Sequence, residues 1–112
     1  MIYYHFSATS DLPSVSNARS WPGRPLGVWA YTSLEVGEYA KTRPYLQVLE
    51  SSCNICNDTE FILDLAEEFE TDPEKISEVL LAKGFQAVQW TPEEIVFLKD
   101  SAFKRTRVVE LK

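Results

Sequence analysis

The chain has a single histidine, His5, and only two cysteines, Cys53 and Cys56. A tetrahedral zinc site takes four N or S ligands, and a Cys-x-x-Cys pair with one distant His cannot complete it, so zinc is not expected. The Cys pair also lacks the setting of a thioredoxin-like redox motif, because Ser51, Ser52, Asn54 and Asn57 surround it; two reduced thiols in a loop are expected instead. No apolar run approaches the roughly 20 residues that span a bilayer. Met1-Ile2-Tyr3-Tyr4-His5 has neither the basic start nor the long apolar stretch of a signal peptide, so the expected partner is not a membrane and the expected location is cytoplasmic. Clustered basic residues are missing too. With 11 Lys and Arg against 17 Asp and Glu, the net charge is −6, which disfavours direct binding to a nucleic-acid backbone.

What is present fits one globular domain over residues 1–112, long enough for one core and too short for two. The acidity is local. Residues 50–78 carry ten acidic side chains and one basic, for −9, while residues 1–49 and 79–112 are weakly basic at +1 and +2. Such a segment is most often a solvated helix surface, but it also suits a partner with a basic face.

The chain reads as strand, polar loop, strand, helix, strand, acidic helical insert at about 57–83, and a β-rich end. Ile2-Tyr3-Tyr4-His5-Phe6-Ser7 and Gly27-Val28-Trp29-Ala30-Tyr31-Thr32-Ser33 are β-prone runs ending in polar residues, which a sheet delivers to its rim. Residues 11–25, rich in Ser, Pro, Asn and Gly, form a loop or a short irregular helix. Thr32-x-x-Glu35 is a capping box that opens a helix at about Ser33 and carries it to about Lys41, and residues 44–50 alternate as a strand. Phe61, Ile62, Leu65 and Phe69 share one helix face; Ile76, Val79, Leu80 and Leu81 form the stripe of another. Thr71-Asp72-Pro73-Glu74 separates the two, with Pro in a first turn and Glu closing a capping box, and Lys83-Gly84 stops the second. Strands follow at 87–90, 95–98 and 107–111, with Asp100 capping a turn at 101–104. Strands at both ends with helices between them predict an α+β fold.

His5-Phe6-Ser7, Gly23-Arg24 with the 27–33 run, and Gly84-Phe85-Gln86-Ala87-Val88 before Glu93-Glu94-Ile95-Val96-Phe97 together resemble the ADP-ribosyltransferase family. The pattern is most similar to its small phage-encoded members, including the anti-CRISPR type. The resemblance implies a compact, twisted β-sheet core with a helical insert, NAD as co-substrate, and a protein target such as a host defence complex. It implies His5, Tyr31 and Glu94 as catalytic residues, with Ser7, Arg24, Thr32 and Ser33 at the cofactor. His5 would hold ribose hydroxyls with Ser7 beside it, Tyr31 would offer nicotinamide a flat ring, Thr32 and Ser33 would supply hydroxyls, and Arg24 would meet the pyrophosphate. Cleaving the nicotinamide–ribose bond builds positive charge on the ribose, which a fixed carboxylate stabilises. Glu94 is the candidate because it opens a strand whereas Glu93 lies in the turn; a one-residue register change would exchange them. Phe6 stands where family members with the His motif carry a small residue, and Pro92 occupies the second acidic position of the arginine-specific branch, so arginine is not the favoured acceptor. The alternative is a non-catalytic acidic inhibitor of the same fold that blocks a basic surface on a host protein.

Overall fold

The computed structural model describes residues 1–35, 40 and 42–111. Among them seven strands form one mixed sheet: β1 (Ile2–Ser7), β2 (Val28–Tyr31), β3 (Tyr45–Glu50), β4 (Ile55–Cys56), β5 (Ala87–Thr91), β6 (Glu94–Phe97) and β7 (Lys104–Glu110). Their spatial order is β4-β5-β6-β2-β1-β3-β7. Only β4 and β5 are parallel, joined by the helical crossover of α1 (Thr59–Glu68) and α2 (Pro73–Ala82). The result is a compact α+β fold, as the element order predicts.

Alternation along each strand gives the sheet two buried faces. On one, Tyr3, Val28, Ala30, Leu49, Ala87, Ile95 and Phe97 form a core with Ala102, and the edge of the Tyr3 ring meets Phe97 at 5.4 Å. On the other, Cys56, Val88, Val96 and Leu98 meet Ile62 and Leu65 of α1 and Ile76 and Leu80 of α2. Each fully buried aliphatic side chain there contributes about 1.5–3 kcal/mol of apolar burial. The helical spacing read from sequence identifies this layer correctly, with Phe61, Phe69, Val79 and Leu81 packed at its margin.

Several local expectations shift. Cys56 is not in a loop: it lies in β4 and is buried, while Cys53 stays half-buried before it, and both thiols are free. The cap of α2 is Asp72, whose carboxylate accepts from the Lys75 N–H. Pro73 takes N1, so Glu74 sits at N2, one position short of closing a capping box. Asp58 caps α1 in the same way. Asp100 does not cap the turn after it; that 3-10 turn spans Asp100–Ala102 and has no side-chain cap. The Asp100 carboxylate instead accepts from the Val15 N–H at 2.7 Å and the Ser14 hydroxyl at 2.9 Å, anchoring the 3-10 turn Val15–Asn17. β7 begins at Lys104 rather than 107, with a bulge opposite Val48 and Leu49 that interrupts its alternation. The helix expected over 33–41 falls mostly outside the described residues; Ser33 itself accepts from the Glu35 N–H at 2.9 Å in a local turn. Among the described residues no helix is long and apolar enough to cross a membrane.

Candidate functional site

β1 pairs with β3 along its whole length, from Ile2↔Glu50 to Ser7↔Tyr45, yet with β2 it shares a single register pair, Tyr4↔Tyr31. The two strands therefore part beyond that pair. A cavity of about 480 Å³ opens there, lined by His5, Phe6 and Ser7 from β1, by Gly27, Val28, Trp29 and Tyr31 on and just before β2, and by the loop through Thr9 and Leu12. That volume lies in the range that encloses small ligands.

His5 bridges the parted strands. Its Nδ1 lies 2.7 Å from the Trp29 carbonyl oxygen, where a regular ladder would place a backbone N–H. A carbonyl can only accept, so Nδ1 carries the proton and Nε2 of the neutral ring is an acceptor. Burial pushes the imidazole below its ordinary 6.5; the bond to Trp29 pulls it upward and the Arg43 guanidinium pushes it down again, leaving it lowered. His5 is thus neutral at pH 7, suited to accept a hydrogen bond from a hydroxyl.

The sequence-predicted residues divide. His5, Ser7 and Tyr31 meet at the cavity. Glu94 does not line it, but Glu94 is the register partner of Tyr31 on β6, as Tyr4 is on β1. Directly opposed antiparallel residues hold their Cβ atoms about 4.5–5.5 Å apart on the same face, so Glu94 and Tyr31 leave the sheet side by side on the face opposite to His5, where the Tyr31 ring meets the Phe6 ring at 6.1 Å. Glu94 accepts from the Thr91 hydroxyl at 3.2 Å. Glu93 is exposed in the turn, as expected. Thr32 lies outside the cavity and ties β2 to that turn, its N–H donating to the Glu93 carbonyl at 2.9 Å and its hydroxyl reaching the Pro92 carbonyl at 3.3 Å. Ser33 is also outside it. Arg24 does not line the cavity; its guanidinium lies over the face of Trp29, 5.7 Å from the ring centroid. Among the described residues the cations at the cavity are Arg19 and Arg43, with Arg19 stacked 4.9 Å over Trp21.

Sequence reasoning missed Arg19, Trp21, Arg43 and Gln47 at this site. Trp21 had a weak signal, a tryptophan in a polar loop; the others carried none, because only the tertiary packing of that loop against β1 and β3 brings them together. A second cavity of about 490 Å³ lies at the opposite end of β1, against Met1, Ser52 and Lys104, and contains none of the predicted site residues. Among the described residues no group of three or more His, Cys, Asp or Glu side chains could hold a metal ion. Comparison with family models, with curated proteins and with solved structures gives no match.

Proposed function

We propose that this chain is a NAD-dependent mono-ADP-ribosyltransferase acting on a protein, with the cavity between β1 and β2 as its NAD site. The observation that carries the reading is the meeting of His5, Ser7 and Tyr31 at one open cleft; Glu94 lies outside it, as the register partner of Tyr31. NAD would bring a ribosyl bond whose cleavage releases neutral nicotinamide with the bonding electrons, while an acceptor side chain on the target donates an electron pair to the ribose carbon and gives up its proton to solvent. Neutral His5 accepts from a ribose hydroxyl and Tyr31 gives nicotinamide a ring to rest on, while Glu94, outside the cavity and on the other face of the sheet, would meet the developing positive charge only where the ribose passes the Tyr31 end of β2. The guanidiniums of Arg19 and Arg43 suit the pyrophosphate, the role first read for Arg24. By the same resemblance the target is a host defence protein and the chain an effector of a phage or another mobile element, working in the cytoplasm.

The test is a NAD titration followed by tryptophan emission and melting temperature, since Trp21 and Trp29 line the cavity and a ligand of the folded state stabilises it by mass action. Glu94→Gln should lower ADP-ribosyl transfer at least ~10²-fold, the scale of a lost electrostatic contact in a transition state. Unchanged transfer in that variant would remove Glu94 from the mechanism. A flat titration to millimolar NAD, with no nicotinamide released in cell extract, would leave the second reading.

That reading is an acidic inhibitor of a basic surface. All ten acidic residues from Glu50 to Glu78 are exposed, and among the described residues one ion pair, Lys75 to Glu78 at 3.7 Å, offsets them. Charge reversal at Glu67, Glu68 and Glu70 should then weaken a salt-sensitive association without altering the fold.

A further inference from the structure

We propose that Arg105, on the edge strand β7, is a positioning residue for the cavity: acting through Gln47, it fixes the loop from Thr9 to Ser14 that forms one cavity wall. The inference takes NAD from the reading above only as a probe.

Gln47 is fully buried in β3, between β1 and β7. A carboxamide there must have its bonds satisfied within the protein. Arg105 Nη1 lies 3.2 Å from Gln47 Oε1, and because a guanidinium only donates, it decides which way the amide is turned. With Oε1 facing Arg105, Nε2 donates to the Asp11 carbonyl at 2.9 Å and to the Ser7 hydroxyl oxygen at 3.0 Å. The same Nη1 also donates to the Ser10 carbonyl at 2.8 Å. Ser7 completes the chain by donating its one hydroxyl proton to the Thr9 carbonyl at 2.6 Å.

Three backbone carbonyls of the wall, at Thr9, Ser10 and Asp11, are thus held by side chains of β1, β3 and β7. The wall has no strand ladder of its own, and its next anchor is the Asp100 clamp on Ser14 and Val15. Without Arg105, the amide loses the donor that orients it. A flipped Gln47 would set its oxygen against the carbonyl of Asp11, two acceptors facing each other, and the wall would come free. Ser7 also changes role: its proton belongs to the wall, so toward a ligand it can only accept.

The experiment compares backbone order parameters over residues 8–12, from nitrogen relaxation, with NAD affinity in the full chain. Arg105→Met, which keeps the aliphatic stem, should lower the order parameters in 8–12 from the roughly 0.85 of rigid backbone to below about 0.6 and weaken NAD about tenfold or more, the loss expected for one charge-assisted hydrogen bond, while β5 and β6 keep their order. Arg105→Lys retains one donor and should restore part of both, and Arg107→Met on the same strand should change neither. Should Arg105→Met loosen the whole molecule, Ser7→Ala, which removes the hydroxyl that holds the Thr9 carbonyl and accepts from Gln47 but leaves Arg105 in place, must still lower the order selectively in 8–12. Unchanged order parameters there in Arg105→Met, or a uniform fall with no local effect in Ser7→Ala, overturns the proposal. A wild-type protein that does not bind NAD overturns the ligand assignment and leaves the order parameters to decide this one.

Discussion

Gly27 is where the fold and the cavity constrain the same atom, and replacing it with alanine should be one of the costliest small changes in the chain. A Cβ at that position would fall inside contact distance of the Phe97 carbonyl oxygen and 2.7 Å from Val96 Cγ1. Neither neighbour can yield: one is backbone of β6, and Val96 is fully buried beneath the helices. The start of β2 must therefore separate from β6, where Val28 pairs with Phe97 and Trp29 with Val96. Overpacking of this kind costs about 1–3 kcal/mol, and one or two ladder bonds weakened in the process add about 1 kcal/mol each, giving roughly 2–5 kcal/mol against the 5–15 kcal/mol of a typical domain. Gly84 provides the control, since its φ of +92° strains any L side chain but nothing lies within 4 Å of the added carbon. Gly84→Ala should cost about 1 kcal/mol, from backbone conformation alone. Urea unfolding of both variants at equal m-value measures the difference. A Gly27→Ala protein within ~0.5 kcal/mol of wild type, or no less stable than Gly84→Ala, would refute the argument from close approach.

Two further outcomes follow from the site and the caps. Because burial lowers the His5 pKa, the unfolded chain binds the proton more readily than the folded one: the contribution is fully present above the unfolded value of about 6.5 and is lost as pH falls through the lower folded value. His5→Asn should therefore lose less stability than wild type between pH 7.5 and 5.5 in chemical denaturation; equal losses would show that His5 is not the group titrating. Asp72→Ala should destabilise by about 1 kcal/mol by removing the cap on the Lys75 N–H, whereas Thr71→Ala should be nearly neutral in thermal melts, and the reverse order would return the cap to the position that the Thr-x-x-Glu spacing suggests.

Much was determined by sequence alone where information is local. The stripes of α1 and α2 and the strands that carry His5 and Tyr31 are legible because burial on one face imposes a period of 3.6 or 2 on the residues themselves. The placement of Glu94 at a strand start and Glu93 in the preceding turn follows equally from Pro92 and the continuous apolar run Ile95-Val96-Phe97-Leu98 after it. Only the tertiary structure could decide which elements become neighbours. β4 is two residues long and exists because Ile55 and Cys56 lie parallel to Ala87 and Val88 after a 30-residue crossover; two residues hold no period, so Cys56 read as loop. Lys104 to Thr106 read as polar because the bulge opposite Leu49 breaks the alternation of β7. Asp100 found its partners 85 and 86 positions earlier, at Val15 and Ser14. The cations show the same limit: Arg24 stands in the suggestive Gly-Arg motif yet stacks on Trp29, while Arg19 and Arg43 reach the cavity. A guanidinium on a long flexible stem has no periodic signature, and its destination is set by whichever carbonyl, ring or ligand the packed chain brings within reach.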